Sequence, residues 1–187
     1  MKRFLPPFIT ALFGLVLCGC SNQAPFVPAE ELDPGLVREV RALGARNWIV
    51  IADESFPLHT RRGVRTLLVD KEGPEVLSGV LDTIEHQQHV SPIFYRSREL
   101  SYVENDNAPG IDRYREQITQ SLRGHEIREL QYRSLAVVLE DASKTFAVLV
   151  IKTKTALPYS SIFIELDSGY WDGKSEQKLR DKMEKPE

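Results

Sequence analysis

The chain has 187 residues, with 24 Lys and Arg against 27 Asp and Glu, a net charge of -3 and 42% hydrophobic residues. That length suits one domain, and the ordinary globular composition excludes a disordered, collagen-like or disulfide-stapled chain. The weak negative charge leaves no footprint for nucleic acid.

Both cysteines, Cys18 and Cys20, fall in the first twenty positions. Lys2 and Arg3 precede an apolar run from Phe8 to Leu17. Ten residues rise only about 15 Å as a helix, roughly half a bilayer's hydrocarbon core. Residues 1–19 therefore read as a signal peptide rather than a spanning helix. The run ends in Leu17-Cys18-Gly19-Cys20, which resembles the lipobox of bacterial lipoproteins. The resemblance implies a diacylglyceryl group on Cys20, cleavage in front of it, and attachment to a membrane of the bacterial cell envelope. Ser21, where Asp would retain the protein at the inner membrane, implies the outer membrane facing the periplasm in a Gram-negative host. Cleavage removes Lys2 and Arg3 and no acid, moving the net charge from -3 to -5.

Residues 20–35 carry three prolines and little periodicity, and read as the lipidated cysteine and a tether. Asp33-Pro34 has the form of a helix start, and Leu36, Val40 and Leu43 keep the spacing of one buried helical face up to Gly44. Trp48 to Ala52 is continuously apolar, as in a strand covered on both faces, and ends in Asp53. Val64 to Val69 reads as a second strand and Val76 to Ile84 as a helix. Residues 89–95 and 99–103 are shorter extended candidates, and Ile111 to Leu122 is helical, with Tyr114, Ile118 and Leu122 on one side. Leu135–Leu139, Phe146–Ile151 and Tyr159–Leu166 are apolar runs of buried-strand character. The spacer 140–144 fits either a tight turn or part of a short helix. The charged tail, residues 172–187, reads as flexible. The pattern predicts an α/β fold, a single compact domain over residues 36–171 with a mixed, largely parallel sheet flanked by helices.

In such sheets ligands collect at the carboxyl ends of strands. Asp53 stands at one, followed by the polar turn Glu54-Ser55-Phe56-Pro57; its carboxylate either caps that turn or accepts hydrogen bonds from a sugar's hydroxyls. His59 lies just beyond, within reach of a proton-donor role. His86 and His89 could share a helical face, but no third ligand stands nearby, so no metal site is expected. His125 reads as a loop residue, and Arg61, Arg62 and Arg65 as a solvated basic cluster. Tyr132, with Arg128 or Arg133, precedes an apolar run and could reach a ligand.

The segment Leu43-Gly44-Ala45-Arg46-Asn47-Trp48-Ile49-Val50-Ile51-Ala52-Asp53-Glu54-Ser55-Phe56-Pro57 resembles the M-G-H-G-D-x-I-V-[IL]-A-D-A-N-F-P of the ribose pyranase/fucose mutarotase family, more closely its fucose branch. Asp112-Arg113-Tyr114, Glu140 to Val148, and Thr155 to Ile162 continue the resemblance in order over most of residues 30–170. It implies a compact α/β domain assembling as a ring with sites between subunits. It also implies a free monosaccharide such as fucose or ribose as partner, and interconversion of its forms without metal or cofactor. Residue by residue, Asp53 and Tyr159 match sugar contacts of the family. Ser161 stands in place of its asparagine, and Arg128 or Arg133 in place of its basic residue. Ala45 occupies the position of the histidine that moves the proton, and Arg46 is a poor substitute because guanidinium stays protonated. Three expectations follow. The chain binds a monosaccharide with impaired or absent mutarotase activity, or it is a working mutarotase with an acid such as His59, or it is an envelope interaction module that keeps only the fold.

Overall fold

The computed structural model describes residues 32–184. The expected signal peptide, the lipidation site Cys20 and residues 20–31 of the tether lie outside them.

The first helix, α1 (Pro34–Arg41), starts where Asp33 accepts the free backbone N–H groups of Gly35 and Leu36 at 2.8 and 3.2 Å. An N-cap carboxylate satisfies donors that have no intrahelical partner. Leu36 and Val40, one turn apart, are its buried face. Then follow β1 (Trp48–Ala52), β2 (Val64–Leu68), α2 (Gly73–Glu85), β3 (Val90–Ser97), a 3₁₀ turn (Arg98–Tyr102) and α3 (Ile111–Ser121). The chain closes with β4 (Ile127–Leu130), α4 (Tyr132–Ala142), β5 (Val148–Lys152), β6 (Ile162–Ser168) and α5 (Gly173–Glu184).

The six strands form one sheet in the order β2-β5-β1-β6-β3-β4. β2, β5 and β1 are mutually parallel, as are β3 and β4, and β6 runs antiparallel between the two groups. The α/β class and mixed, largely parallel sheet are as the sequence predicts. All five residues of β1 are buried. Ile49 and Ile51 pack toward α1, α2 and α3, while Trp48, Val50 and Ala52 face Leu135 and Leu139 of α4. Helices on both faces explain why this central strand is apolar without alternation.

Two local expectations are corrected. Leu135–Leu139 is helical, because Leu135 and Leu139 alone turn inward while Val137 and Val138 lie exposed. Of the extended candidate 99–103, all but Val103 belong to the 3₁₀ turn, whose Leu100 is fully buried. Within the charged tail, Gly173–Glu184 is the helix α5, with an i, i+4 ion pair between Glu176 and Arg180 and no buried residue.

Candidate functional site

Every parallel strand ends at the same edge of the sheet. Because β6 is reversed, the segment leading into it lies at that edge too. The turn after β1, the start of α4 after β4, and the segment 153–161 therefore converge.

The turn is built from Asp53 itself. Its Oδ1 accepts the Ser55 N–H at 2.9 Å, and its carbonyl accepts that of Phe56 at 3.1 Å. Phe56 folds back into the core against Phe163, with ring centroids 6.3 Å apart. Two threonines strap the turn to the opposite segment. Thr153 donates its hydroxyl to the Ala52 carbonyl at 2.9 Å, and the Thr155 carbonyl accepts the Glu54 N–H at 2.9 Å.

Ser161 is buried and completes the frame. Its hydroxyl donates to Asp53 Oδ2 at 2.7 Å, and its oxygen accepts the Asp53 N–H at 3.1 Å. Both carboxylate oxygens are thus oriented from within the chain, leaving their remaining lone pairs for an outside donor. Tyr159 stands at the rim, 42% exposed, with φ 58 in the left-handed region. A non-glycine residue there is strained by about 1–2 kcal/mol. Neighbouring bonds hold it: Ser160 donates its hydroxyl to the Leu157 carbonyl at 2.8 Å, and buried Tyr114 donates its own to the Ser160 carbonyl. The Tyr132 ring meets the Tyr159 ring edge-on at 5.9 Å. Burial first, and then the negative charge of Asp53, raises the Tyr132 hydroxyl above its ordinary pKa, so it remains a neutral donor.

Between these groups lies a pocket of about 470 Å³. Asp53 and Ser55 line it on one side, Tyr132 and Tyr159 on another, and Phe56 and Pro158 supply apolar walls. An oriented carboxylate, two phenols and apolar ring faces suit a small, neutral, hydroxyl-rich ligand.

The other residues singled out from sequence are placed differently. His59 is outside the pocket lining; its ring lies 5.8 Å from that of Phe56, and its buried Nε2 has no hydrogen-bond partner. Arg128 stacks on Tyr95 at 5.7 Å and donates to its hydroxyl at 3.2 Å, two sheet positions back from the edge. Arg133 is exposed on the first turn of α4, outside the pocket lining. Ala45 lies before β1, so the whole strand, about 16 Å at 3.3 Å per residue, separates it from Asp53. His89 bonds the Leu43 carbonyl at 3.1 Å, and the basic cluster is divided between Glu140, paired with Arg61, and Glu39, paired with Arg65. Among the described residues no group of three or more His, Cys, Asp or Glu could hold a metal, and no helix is long and apolar enough to cross a membrane.

A larger hollow, about 630 Å³, opens near the amino end of β1 beside Arg46, Trp48, Phe146 and Glu165. Its acids are engaged: Glu140 by Arg61, Asp141 by Lys144, and Glu165 by the Tyr95 hydroxyl at 2.7 Å. The pocket at Asp53, by contrast, lies at the carboxyl ends of the parallel strands, where ligands of α/β sheets collect. Thr153 has no place among the residues singled out from sequence, and Thr155, Leu157 and Pro158 enter there only as members of the resembling segment, without a role at the site. Thr153-Lys154-Thr155, directly after an apolar strand, is the pattern that carried the two threonines.

The model of the RbsD / FucU transport protein family matches residues 29–169. The fold is similar to that of Bacillus subtilis RbsD complexed with D-ribose, at 18% identity and a TM-score of 0.51 over 73% of this chain and 93% of that one. It is similar to FucU from Bifidobacterium longum, at 20% identity and a TM-score of 0.50 over 76% and 98%. It is also similar to the fucose mutarotase from Streptococcus pneumoniae in complex with L-fucose, at 20% identity and a TM-score of 0.50 over 75% and 96%. No curated protein matches significantly.

Proposed function

The chain belongs to the RbsD / FucU family, and on that premise we propose that it is a monosaccharide-binding protein, tethered to the envelope through Cys20, with impaired or absent mutarotase activity. The observation that carries the binding is the carboxylate of Asp53, held by Ser161 and the Ser55 amide at the mouth of a pocket shared with Tyr132 and Tyr159. A fixed acceptor loses little entropy when a sugar hydroxyl docks. The ribose and fucose bound to the solved relatives favour a monosaccharide as the ligand class.

The loss of activity rests on Ala45. Opening a sugar ring requires a proton delivered to the ring oxygen and another removed from the anomeric hydroxyl; alanine does neither. Loss of a general acid or base costs roughly 10²–10⁴-fold in rate. Since Ala45 and Asp53 flank opposite ends of β1, the position at Ala45 and the Asp53 pocket would meet on one sugar only across two copies of the chain. The proposal therefore includes a homo-oligomer.

Calorimetry with L-fucose, D-ribose and D-galactose tests the binding: a millimolar or tighter constant for one of them, lost in Asp53→Ala, is expected. No heat and no thermal stabilisation from any of the three would sink it. Saturation-transfer NMR of anomer exchange tests the activity, which Ala45→His is expected to raise. For the tether, Cys20→Ser should abolish globomycin-sensitive processing and release the protein from membranes.

A second reading, a working mutarotase with His59 as acid, is favoured by the unpartnered Nε2 of His59 beside Phe56. It requires anomer exchange above the uncatalysed rate in the native protein and its loss in His59→Ala. The open pocket at Asp53 weighs against a module that keeps the fold alone.

A further inference from the structure

The segment 155–159 has a hollow on each side. On one is the Asp53 pocket; on the other is a pocket of about 430 Å³ between the starts of α2 and α3. Both volumes fall in the range of small-molecule sites, about 300–1,000 Å³. Leu157 lines both pockets, so they adjoin across that one side chain.

The chemistry of the second pocket is also that of sugar recognition. Thr155 is buried, accepts the Gly73 N–H at 2.8 Å, and donates its hydroxyl to Glu72 Oε2 at 2.6 Å, fixing that carboxylate at the opening of α2. Glu75, Arg113 and Gln117 also line the pocket. Among the described residues these three make no side-chain hydrogen bond or ion pair. A carboxylate, a guanidinium and an amide thus converge on one cavity with their polar groups unused. Planar, paired donors and acceptors of this kind match vicinal hydroxyls. Two carboxylates against one guanidinium give the wall a net negative charge, which disfavours an acidic sugar.

We propose that the ligand is a neutral glycan of at least two sugar units, one in the Asp53 pocket and the next across Leu157 in the pocket of Glu75, Arg113 and Gln117. This rests on the sugar-binding reading above and extends it from a monosaccharide to a linked pair. The second pocket supplies affinity and selects chain length, while the first sets the terminal sugar.

The test compares L-fucose and D-galactose with fucosyl-α1,2-galactose, lactose and maltose by calorimetry on the full-length protein. At least one disaccharide is expected to bind about tenfold more tightly than its component monosaccharide, the return on two hydrogen bonds of ordinary net strength. Arg113→Ala and Glu75→Gln should each bring that ratio back toward one. In saturation-transfer difference NMR, protons of both rings should receive saturation from the protein. Monosaccharide binding with no gain from any disaccharide, or a gain untouched by both substitutions, overturns the two-unit site and leaves the monosaccharide reading standing. Saturation confined to one ring overturns it as well. If neither monosaccharides nor disaccharides bind, both readings fall together.

Discussion

Replacing Ser161 by alanine removes one oxygen and breaks two contacts at the centre of the site. The hydroxyl donates to Asp53 Oδ2 at 2.7 Å and accepts the Asp53 N–H at 3.1 Å, and the residue is only 2% exposed. A hydrogen bond to a charged group contributes about 1.5–3 kcal/mol, and a buried donor left unmade costs about 1–3 kcal/mol. Asp53 is itself half-buried, so water recovers part of both, and a net loss of about 2–3 kcal/mol is expected. In a domain of this size that lowers Tm by roughly 5–10 °C. Sugar binding should weaken by about fivefold, the cost of ordering a carboxylate that was previously fixed. Urea denaturation gives the first quantity and calorimetry the second. A double-mutant cycle with Asp53→Ala isolates the pair, with a coupling energy of about 1–2 kcal/mol expected. A Ser161→Ala protein with native Tm and native affinity, or a coupling energy near zero, would refute the argument that Ser161 holds the carboxylate.

The start of α4 has no side-chain cap of its own, and both oxygens of Glu99 accept the Tyr132 N–H from outside the helix at 3.0 Å. Bonds from the Ser97 hydroxyl first, and from the Tyr132 amide further down, hold the Glu99 pKa below its ordinary value. A carboxylate depressed in the folded state contributes stability above its unfolded pKa and loses it as pH falls through the folded one. Glu99→Ala should therefore cost about 1 kcal/mol at neutral pH and progressively less below pH ~4, measured by denaturant midpoints across pH. Arg46 sits at φ 72 with its guanidinium 5.8 Å from the Phe146 ring. Arg46→Gly relieves about 1 kcal/mol of strain and gives up about 0.5–1 kcal/mol of contact, so thermal melts should move little, whereas Arg46→Ala loses the contact alone and should destabilise. Since α5 buries nothing, removing residues 173–187 should change Tm by less than about 2 °C.

Most of the framework can be read from periodicity because the helices are amphipathic and the central strands are not. The spacing of Leu36 and Val40, of Val76, Val80 and Ile84, and of Tyr114 and Ile118 reports real buried faces. The stretch Leu135–Leu139 misleads for a physical reason: an exposed Val137-Val138 between two inward leucines makes a helix resemble a buried strand. Strand β4 is invisible because Ile-Arg-Glu-Leu is short, lies at the sheet's edge and has little to bury. At the site, Asp53 is legible as a carboxylate ending an apolar strand. The duty of Ser161 is not, since it depends on a contact across 108 residues set by the direction of β6. Arg128 and Arg133 are adjacent to the right elements in sequence, yet Arg128 stands two positions back along β4, against Tyr95, and Arg133 is exposed on α4 outside the pocket lining.

Strand β6 joins what would otherwise be two fragments. Without residues 162–168, β2-β5-β1 and β3-β4 are separate ribbons, each presenting an unpaired inner edge, that of β1 wholly apolar. The ribosome delivers that joining strand last of the six, so every nascent or truncated chain that stops short of it exposes two templates for aggregation. The pocket at Asp53 is likewise incomplete until the segment leading into β6 has been made, because that segment supplies Tyr159 and the Ser161 that holds the carboxylate.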